Sequence, residues 1–373
     1  MRNGGFPDWI IEREKEGMAI RCNNEEYLGY VRRFWKKVYA QVDGCMEKDG
    51  GPVIGIQIEN EYGHVGGLQG PEGEAHIRTL TAMAKEIGFD VPLYTATGWG
   101  GACIGDLLPV MGGYCEAPWD QRTCEIEPNA NFVFSHTRND ALIACDHHVE
   151  NANSYNEEDF PFLTAELGGG LQVTMHRRPV AKGCDVGAMS TVKMGSGAGL
   201  LGYYMYHGGT NPEGKFSTME ESAKVGAPNT LPVKSYDFQA ILRENGEPHE
   251  SYHLTRRHHL MLADFGEILA PGVTLIPPES ATDPADLETL RFAVRHNAEK
   301  DCGFVIISNH LRKRTLKEHR GVAFRLQTAH SVVETPPVTV KNDDMLLLPY
   351  RMPLGDAVLE STNATPLCRL GER

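Results

Sequence analysis

The residues best placed to do chemistry are carboxylates at the ends of strands. Residues 50–63 read Gly-Gly-Pro-Val-Ile-Gly-Ile-Gln-Ile-Glu-Asn-Glu-Tyr-Gly. Gly50, Gly51 and Pro52 mark a turn, and the short β-branched run behind them predicts a strand over 53–61. Ile54, Ile56 and Ile58 share one face, whereas Val53, Gly55, Gln57, Glu59 and Glu61 share the other. A strand that buries one row and ends the other in carboxylates suits a barrel whose polar residues meet at its mouth. The alternative, an acidic strand end that is merely solvated, fits poorly with so apolar a strand. A further glutamate, Glu166, stands alone between the strand predicted from Phe160 and the run Leu-Gly-Gly-Gly. Glycines there allow a close approach of ligand to backbone. Two carboxylates converging on one pocket can divide the work of acid and base between them.

The rest of the chain supplies elements that can position these groups. Asn23 or Asn24 caps a predicted helix in which Tyr27, Val31, Phe34, Val38 and Val42 recur at helical spacing. Arg32, Arg33, Lys36 and Lys37 form its solvated face. A second helix is expected around 74–87, with further strands over 91–97, 107–112, 160–166 and 200–207. Two of these strands run into glycine-rich loops that hold Trp99 and Trp119. Each indole is either a platform for the C–H face of a pyranose or a core residue. A helix containing Tyr252, Leu254, Leu260 and Leu262 closes the first region, and its His258 and His259 read as surface or partly packed residues. Proline and acidic residues mark a linker over 271–286, between a domain at 1–270 and a β-rich domain at 287–373. Strands at 290–295, 303–309, 322–327 and 345–348 give the second domain a sandwich-like spacing.

Gly-Gly-Pro-Val-Ile…Gln-Ile-Glu-Asn-Glu-Tyr-Gly resembles the acid/base signature of the glycoside hydrolase family 35 β-galactosidases. Thr164-Ala-Glu166-Leu-Gly-Gly-Gly resembles the nucleophile segment of that family, and Tyr204-Met-Tyr-His-Gly-Gly-Thr-Asn211 is one of its markers. Met175-His-Arg-Arg-Pro179 is similar to the longer bacterial members. The resemblance implies an incomplete (β/α)8 TIM barrel, roughly strands 4–8, followed by a partial sandwich-like domain, the whole being a fragment truncated at both ends. It places the acid/base at Glu61, the nucleophile at Glu166 and a sugar-binding amide at Asn60. Glu59, Trp99, Trp119, Tyr204 and Tyr236 complete the expected substrate contacts. Tyr236 lies in Ser-Tyr-Asp-Phe238, where many relatives carry a tyrosine last, so one sugar hydrogen bond fewer is implied. The implied reaction is retaining exo-hydrolysis of terminal β-galactosides in an oligosaccharide or glycan. It needs the two carboxylates about 5–5.5 Å apart, one to protonate the leaving oxygen and one to attack the anomeric carbon. Glu61 must then hold a proton while Glu166 stays ionised, with Tyr204 or glycine amides stabilising the charge. A related exo-β-glucosaminidase and a non-catalytic carbohydrate-binding remnant are the alternatives.

Bulk properties narrow the field. The formal net charge of −14 argues against a nucleic-acid partner. No apolar run approaches the roughly 18 residues of a membrane helix. The start of the chain lacks the apolar centre of a signal peptide, so the cytoplasm is the expected location. Nine cysteines without C-x-x-C spacing read as reduced thiols or core fillers. Gly197-Ala-Gly-Leu-Leu-Gly202 matches a dinucleotide fingerprint in letters only, because its glycines precede a strand instead of following one into a helix. Fifteen histidines include no H-E-x-x-H or comparable ligand spacing, and the implied reaction requires no metal or organic cofactor.

Overall fold

The structure is a computed structural model that describes residues 6–96, 100–140, 142–143, 153–212, 215, 227–232 and 234–371. Helices α1 (Asp8–Lys15) and α2 (Glu25–Val42) come before the first strand. Asn24 caps α2, its side-chain oxygen accepting from the Tyr27 N–H at 3.0 Å. The packed stripe of α2 is displaced from the expected one. Tyr27 is buried, but Phe34 and Val38 are exposed, and Trp35, Tyr39 and Val42 turn toward Met46, Tyr62, Ile77 and Leu107. Residues 35, 39 and 42 also satisfy helical spacing, so periodicity alone could not choose between the two stripes.

Five parallel strands follow: β1 (Ile56–Asn60), β2 (Leu93–Ala96), β3 (Leu108–Gly113), β4 (Thr164–Gly168) and β5 (Tyr203–Tyr204). Helix α3 (Gly70–Ile87) lies between β1 and β2, and α4 (Gly183–Gly195) between β4 and β5. Their spatial order is the chain order. A parallel sheet built this way takes all its crossovers on one side and curls into a half-barrel, whereas a doubly wound sheet reverses at a switch point. Because the strands are parallel, their C-terminal ends gather at one rim, and Glu61, Tyr114, Glu166 and Tyr204 all sit there. The predicted strand over 200–207 contracts to two residues plus an isolated bridge from Leu163 to Leu200. Gly202 lies against the Thr164 carbonyl, where a Cβ would stand 2.4 Å from the oxygen. Its role is close packing of β4 on β5.

Helix α5 (Glu250–Leu269) follows a two-stranded ribbon of β6 (Gly209–Thr210) and β7 (Ser235–Tyr236). Its His258 is buried instead of superficial, lies 3.2 Å from the Thr191 hydroxyl, and is lowered to about 4 by burial. The stretch read as a linker contains a strand, β8 (Val273–Leu275), which pairs with β9 (Phe292–Asn297). Next come β10 (Cys302–Ser308), β11 (His319–Val322), β12 (Arg325–Gln327), β13 (Val332–Glu334), β14 (Val338–Val340), β15 (Met345–Leu354) and β16 (Ala357–Ser361). The larger sheet runs β16-β15-β10-β9-β8, while β11 pairs with β14 and β12 with β13. The single strand expected over 322–327 is therefore divided between two pairs.

The β-domain is fastened to the half-barrel by a shared core. Helix α4 is buried on nearly every side, with Val192 and Met194 packing among Phe265, Phe304, Ile306 and Leu347. A buried ion cluster crosses the same junction. Glu116, just beyond β3, accepts from Arg177 at 2.7 Å, Arg312 at 3.0 Å and Lys313 at 2.8 Å. Burial alone would raise this carboxyl, but the three cations prevail and lower it to about 2. Arg312 also reaches Asp185 in α4 at 2.5 Å. Removing one partner leaves buried charge uncompensated, so Arg312→Met is expected to cost about 3 kcal/mol of stability. Urea unfolding at neutral pH checks this, and an unchanged midpoint would show that the cluster contributes nothing net.

Candidate active site

The rim is built from strand ends whose local geometry is pinned by polar contacts. Glu61 immediately follows β1 and takes a left-handed conformation, φ 48°, which is uncommon for a non-glycine residue and clusters at functional sites. Its neighbours on both sides are held by Arg21. The Arg21 guanidinium forks onto the Glu59 carboxylate at 2.9 and 3.0 Å and donates to the Asn60 carbonyl at 3.1 Å. The fully buried Tyr62 donates its hydroxyl to the Arg21 carbonyl at 2.6 Å, and the guanidinium lies over the Tyr62 ring. Glu61 is thus fixed between two anchored residues. Glu59, expected among the substrate contacts, instead commits its carboxylate to Arg21 and to the Asn60 N–H at 2.8 Å. The Asn60 side-chain oxygen accepts from Gln57 at 3.3 Å.

Glu166 lies within β4 and is half-buried. Burial first, and the charge of Glu61 second, hold its carboxyl well above the usual carboxylate range. Glu61 thus lies within electrostatic reach of Glu166, although 105 residues (166 − 61) separate them in sequence. The opposing influence is the Tyr114 hydroxyl, which donates to Glu166 Oε2 at 3.3 Å. Tyr114 fills the place expected of Tyr204, whose hydroxyl instead meets that of Tyr236 at 2.5 Å. Tyr114 is fixed through its backbone. Its N–H donates to Asp140 at 3.2 Å, and its carbonyl accepts from Asn129 at 2.7 Å and Asn131 at 3.0 Å. Tyr114 follows β3 directly but carries no local sequence signal, because its hydroxyl reaches Glu166 only once β3 and β4 are paired.

The glycines after Glu166 also act differently from expectation. A Cβ on Gly169 would meet the Met205 carbonyl at 2.2 Å, and one on Gly170 the Phe238 carbonyl at 2.2 Å. They admit neighbouring backbone, not a ligand, and so hold β4 close to the segment that carries Tyr204 and Tyr236.

Tyr204, Tyr236 and Phe238 form an aromatic group beside the acids, with Tyr236 and Phe238 ring centres 4.5 Å apart and Tyr204 edge-on to both. Burial first and Tyr236 second raise the Tyr204 hydroxyl well above its ordinary range, and Glu166 and Glu61 add to the effect. Both tyrosines therefore belong to the surroundings of the carboxylate pair. Phe238 is buried behind them and borders a cavity of about 350 Å³ that Arg178, Leu231 and Arg243 also line. Trp119 takes the packing alternative. It is buried edge-on to Tyr114 at 5.0 Å, and its indole N–H donates to the Leu142 carbonyl at 2.8 Å. Trp99 lies outside the described residues.

A parallel half-barrel with two glutamates converging at its C-terminal rim has the plan of a glycoside-hydrolase domain. The sequence matches the model for "Glycosyl hydrolases family 35" over residues 1–262, and the chain belongs to that family. It is 28% identical over 256 residues to Beta-galactosidase 17 of Arabidopsis thaliana, an alignment covering 65% of this chain and 31% of that protein. Beta-galactosidase 6 of Oryza sativa subsp. japonica is 28% identical over 248 residues, with 65% and 23% covered. Beta-galactosidase 1 of Dictyostelium discoideum is 22% identical over 257 residues, with 67% and 34% covered. The chain therefore spans about a quarter to a third of the length of the relatives it matches.

Two measurements probe this site. The ordinary Glu166 value is 4.5, and the folded value lies above it. Below pH 4.5 both states are protonated and nothing is lost. As pH rises, the unfolded chain ionises first, and the folded state is penalised. Glu166→Gln is accordingly expected to melt higher than the parent at pH 7, with the difference closing below about pH 4.5. An equal or lower melting temperature at pH 7 would contradict the burial account. Under the proton-donor role proposed for Glu61 below, Arg21→Met, which releases both of its flanks, should lower kcat on lactose about 10²-fold. Unchanged kcat in a folded variant would deny Arg21 any positioning role.

Proposed function

We propose that the chain is the catalytic region of a retaining exo-β-galactosidase that removes terminal β-D-galactosyl residues from oligosaccharides or glycans. The observation that carries this reading is the placement of Glu61 and Glu166 at the C-terminal ends of strands in one parallel sheet, in a chain of glycosyl hydrolase family 35. The β-galactosidase names of the relatives support the choice of sugar.

In this reading the two carboxylates share one proton at neutral pH, because burial and mutual repulsion disfavour a second negative charge. Sugar hydroxyls that donate to Glu166 join Tyr114 in stabilising its ionised form, which leaves the proton to Glu61. Glu61 then protonates the glycosidic oxygen as its bond to the anomeric carbon breaks, and a Glu166 oxygen bonds that carbon from the opposite face. In the second half, Glu61 takes a proton from water, the water oxygen bonds the anomeric carbon, and Glu166 leaves as carboxylate. Tyr204, Tyr236 and Asn60 face the sugar at this rim.

We also infer that β1–β5 correspond to strands 4–8 of an eight-stranded barrel. The sequential order supports this, as does the exposed apolar Ile54 just before β1, which is 64% exposed. Further strands and helices packed there would cover it.

The catalytic reading is tested by paired substitutions assayed on lactose and on nitrophenyl galactoside. Glu166→Gln should abolish both activities, with azide restoring hydrolysis through an inverted product. Glu61→Gln should spare the activated nitrophenyl substrate far more than lactose, since only lactose needs the proton donor. Parental activity on lactose in both variants would overturn the assignment.

A further inference from the structure

No sequence spacing suggests a metal ligand set, yet folding assembles one at the junction of the half-barrel and the β-domain. Cys184 stands in the first turn of α4, His310 follows β10, and Asp343 precedes β15. Their sulfur, nitrogen and oxygen atoms lie within 4.8 Å of one another. We propose that Cys184 Sγ, His310 Nδ1 and an Asp343 carboxylate oxygen form a binding site for Zn²⁺ or a similar borderline divalent ion, with water as the fourth ligand.

Several features distinguish this group from a chance surface cluster. The donors are one thiol, one imidazole and one carboxylate, a set suited to zinc and poorly suited to Mg²⁺ or Ca²⁺, which prefer oxygen. The imidazole is held from behind. His310 is buried, Phe132 packs edge-on to its ring at 5.3 Å, and its Nε2 lies 3.0 Å from Asp185 Oδ1. A histidine that donates its second N–H to a carboxylate presents the other nitrogen as a lone-pair ligand, and this outer contact orients the ring. Asp185 is itself fixed, accepting from the Lys182 N–H at 2.9 Å and from Arg312 at 2.5 Å. The two β-domain ligands are also tied together. The Asp343 N–H donates to the Asn309 carbonyl at 2.9 Å, and the Asn309 N–H to the Asp344 carbonyl at 2.9 Å.

His310 Nδ1 and Asp343 Oδ1 face one another at 2.6 Å. Around a tetrahedral ion, ligand atoms stand about 3.5 Å apart. Coordination would part these two atoms by about 1 Å, which the half-exposed Asp343 side chain can supply. Binding expels the thiol proton, and any proton on Nδ1, to solvent, while Nε2 keeps the proton it shares with Asp185. A cavity of about 650 Å³, bordered by Cys184, Asp343 and Met345, provides access for the ion and its water. The ion would bind the start of α4 to two β-domain loops.

The test uses the full chain, stripped with a chelator and titrated with Co²⁺, whose thiolate bond gives a near-ultraviolet charge-transfer band. One equivalent should produce this band together with the visible bands of four-coordinate cobalt. Cys184→Ser should abolish the charge-transfer band, and Asp185→Asn should weaken affinity 10- to 100-fold, the usual effect of removing an outer carboxylate. Zn²⁺ should raise the melting temperature of the parent and not of Cys184→Ser. Absence of the band, or a band undiminished in Cys184→Ser, would overturn the proposal.

Discussion

The unfavourable influence of burial and of the Glu61 charge on the Glu166 carboxylate sets the terms for the rest of this site. Partial burial disfavours the ionised form of Glu166, and the charge of Glu61 disfavours it further. Such a pair is unfavourable for stability and persists only where surrounding structure fixes both members. The surrounding structure does so on each side. Arg21 clasps Glu59 and Asn60 before Glu61, and Tyr62 anchors the chain after it. Opposite, Asp140, Asn129 and Asn131 hold Tyr114, which supplies the hydroxyl that favours the charged form of Glu166.

The β-domain participates in this arrangement, because its Arg312 and Lys313 neutralise Glu116 two residues beyond Tyr114. Arg177, from the loop that follows β4, completes the same cluster. The loops leaving β3 and β4 are therefore stitched together by charges from the second domain, close behind the tyrosine and glutamate they carry. The shared apolar core around α4 gives that docking its area.

Much of this was legible in the sequence. The strand before Glu61, the strand holding Glu166 and the cap at Asn24 each had a local signature: alternation, a glycine stop, or a capping side chain. The order of the strands followed from parallel topology, and the family follows from matching residues. Long-range pairing left no such mark. Arg21 looks like any arginine in a polar turn, and nothing near it signals a fork onto Glu59. Tyr114 lay within a stretch already singled out, but its hydroxyl acquires meaning only once β3 and β4 are neighbours. Helix α2 offered two stripes with the same period, and only the position of β1 and α3 selects between them. The strand β8 was hidden in a stretch whose prolines and acids resembled a linker, since its three residues pair with a partner that comes later in the chain.

The central claim, that Glu166 bonds the sugar while Glu61 moves the proton, is tested most directly by trapping the intermediate. A 2-deoxy-2-fluoro-β-galactosyl fluoride slows both steps but loses fluoride readily, so the glycosyl-enzyme accumulates. Digestion and mass spectrometry should then find one fluorogalactosyl group esterified to the peptide containing Glu166, at Glu166 itself. A label on Glu61, Glu59 or any other carboxylate would contradict the account.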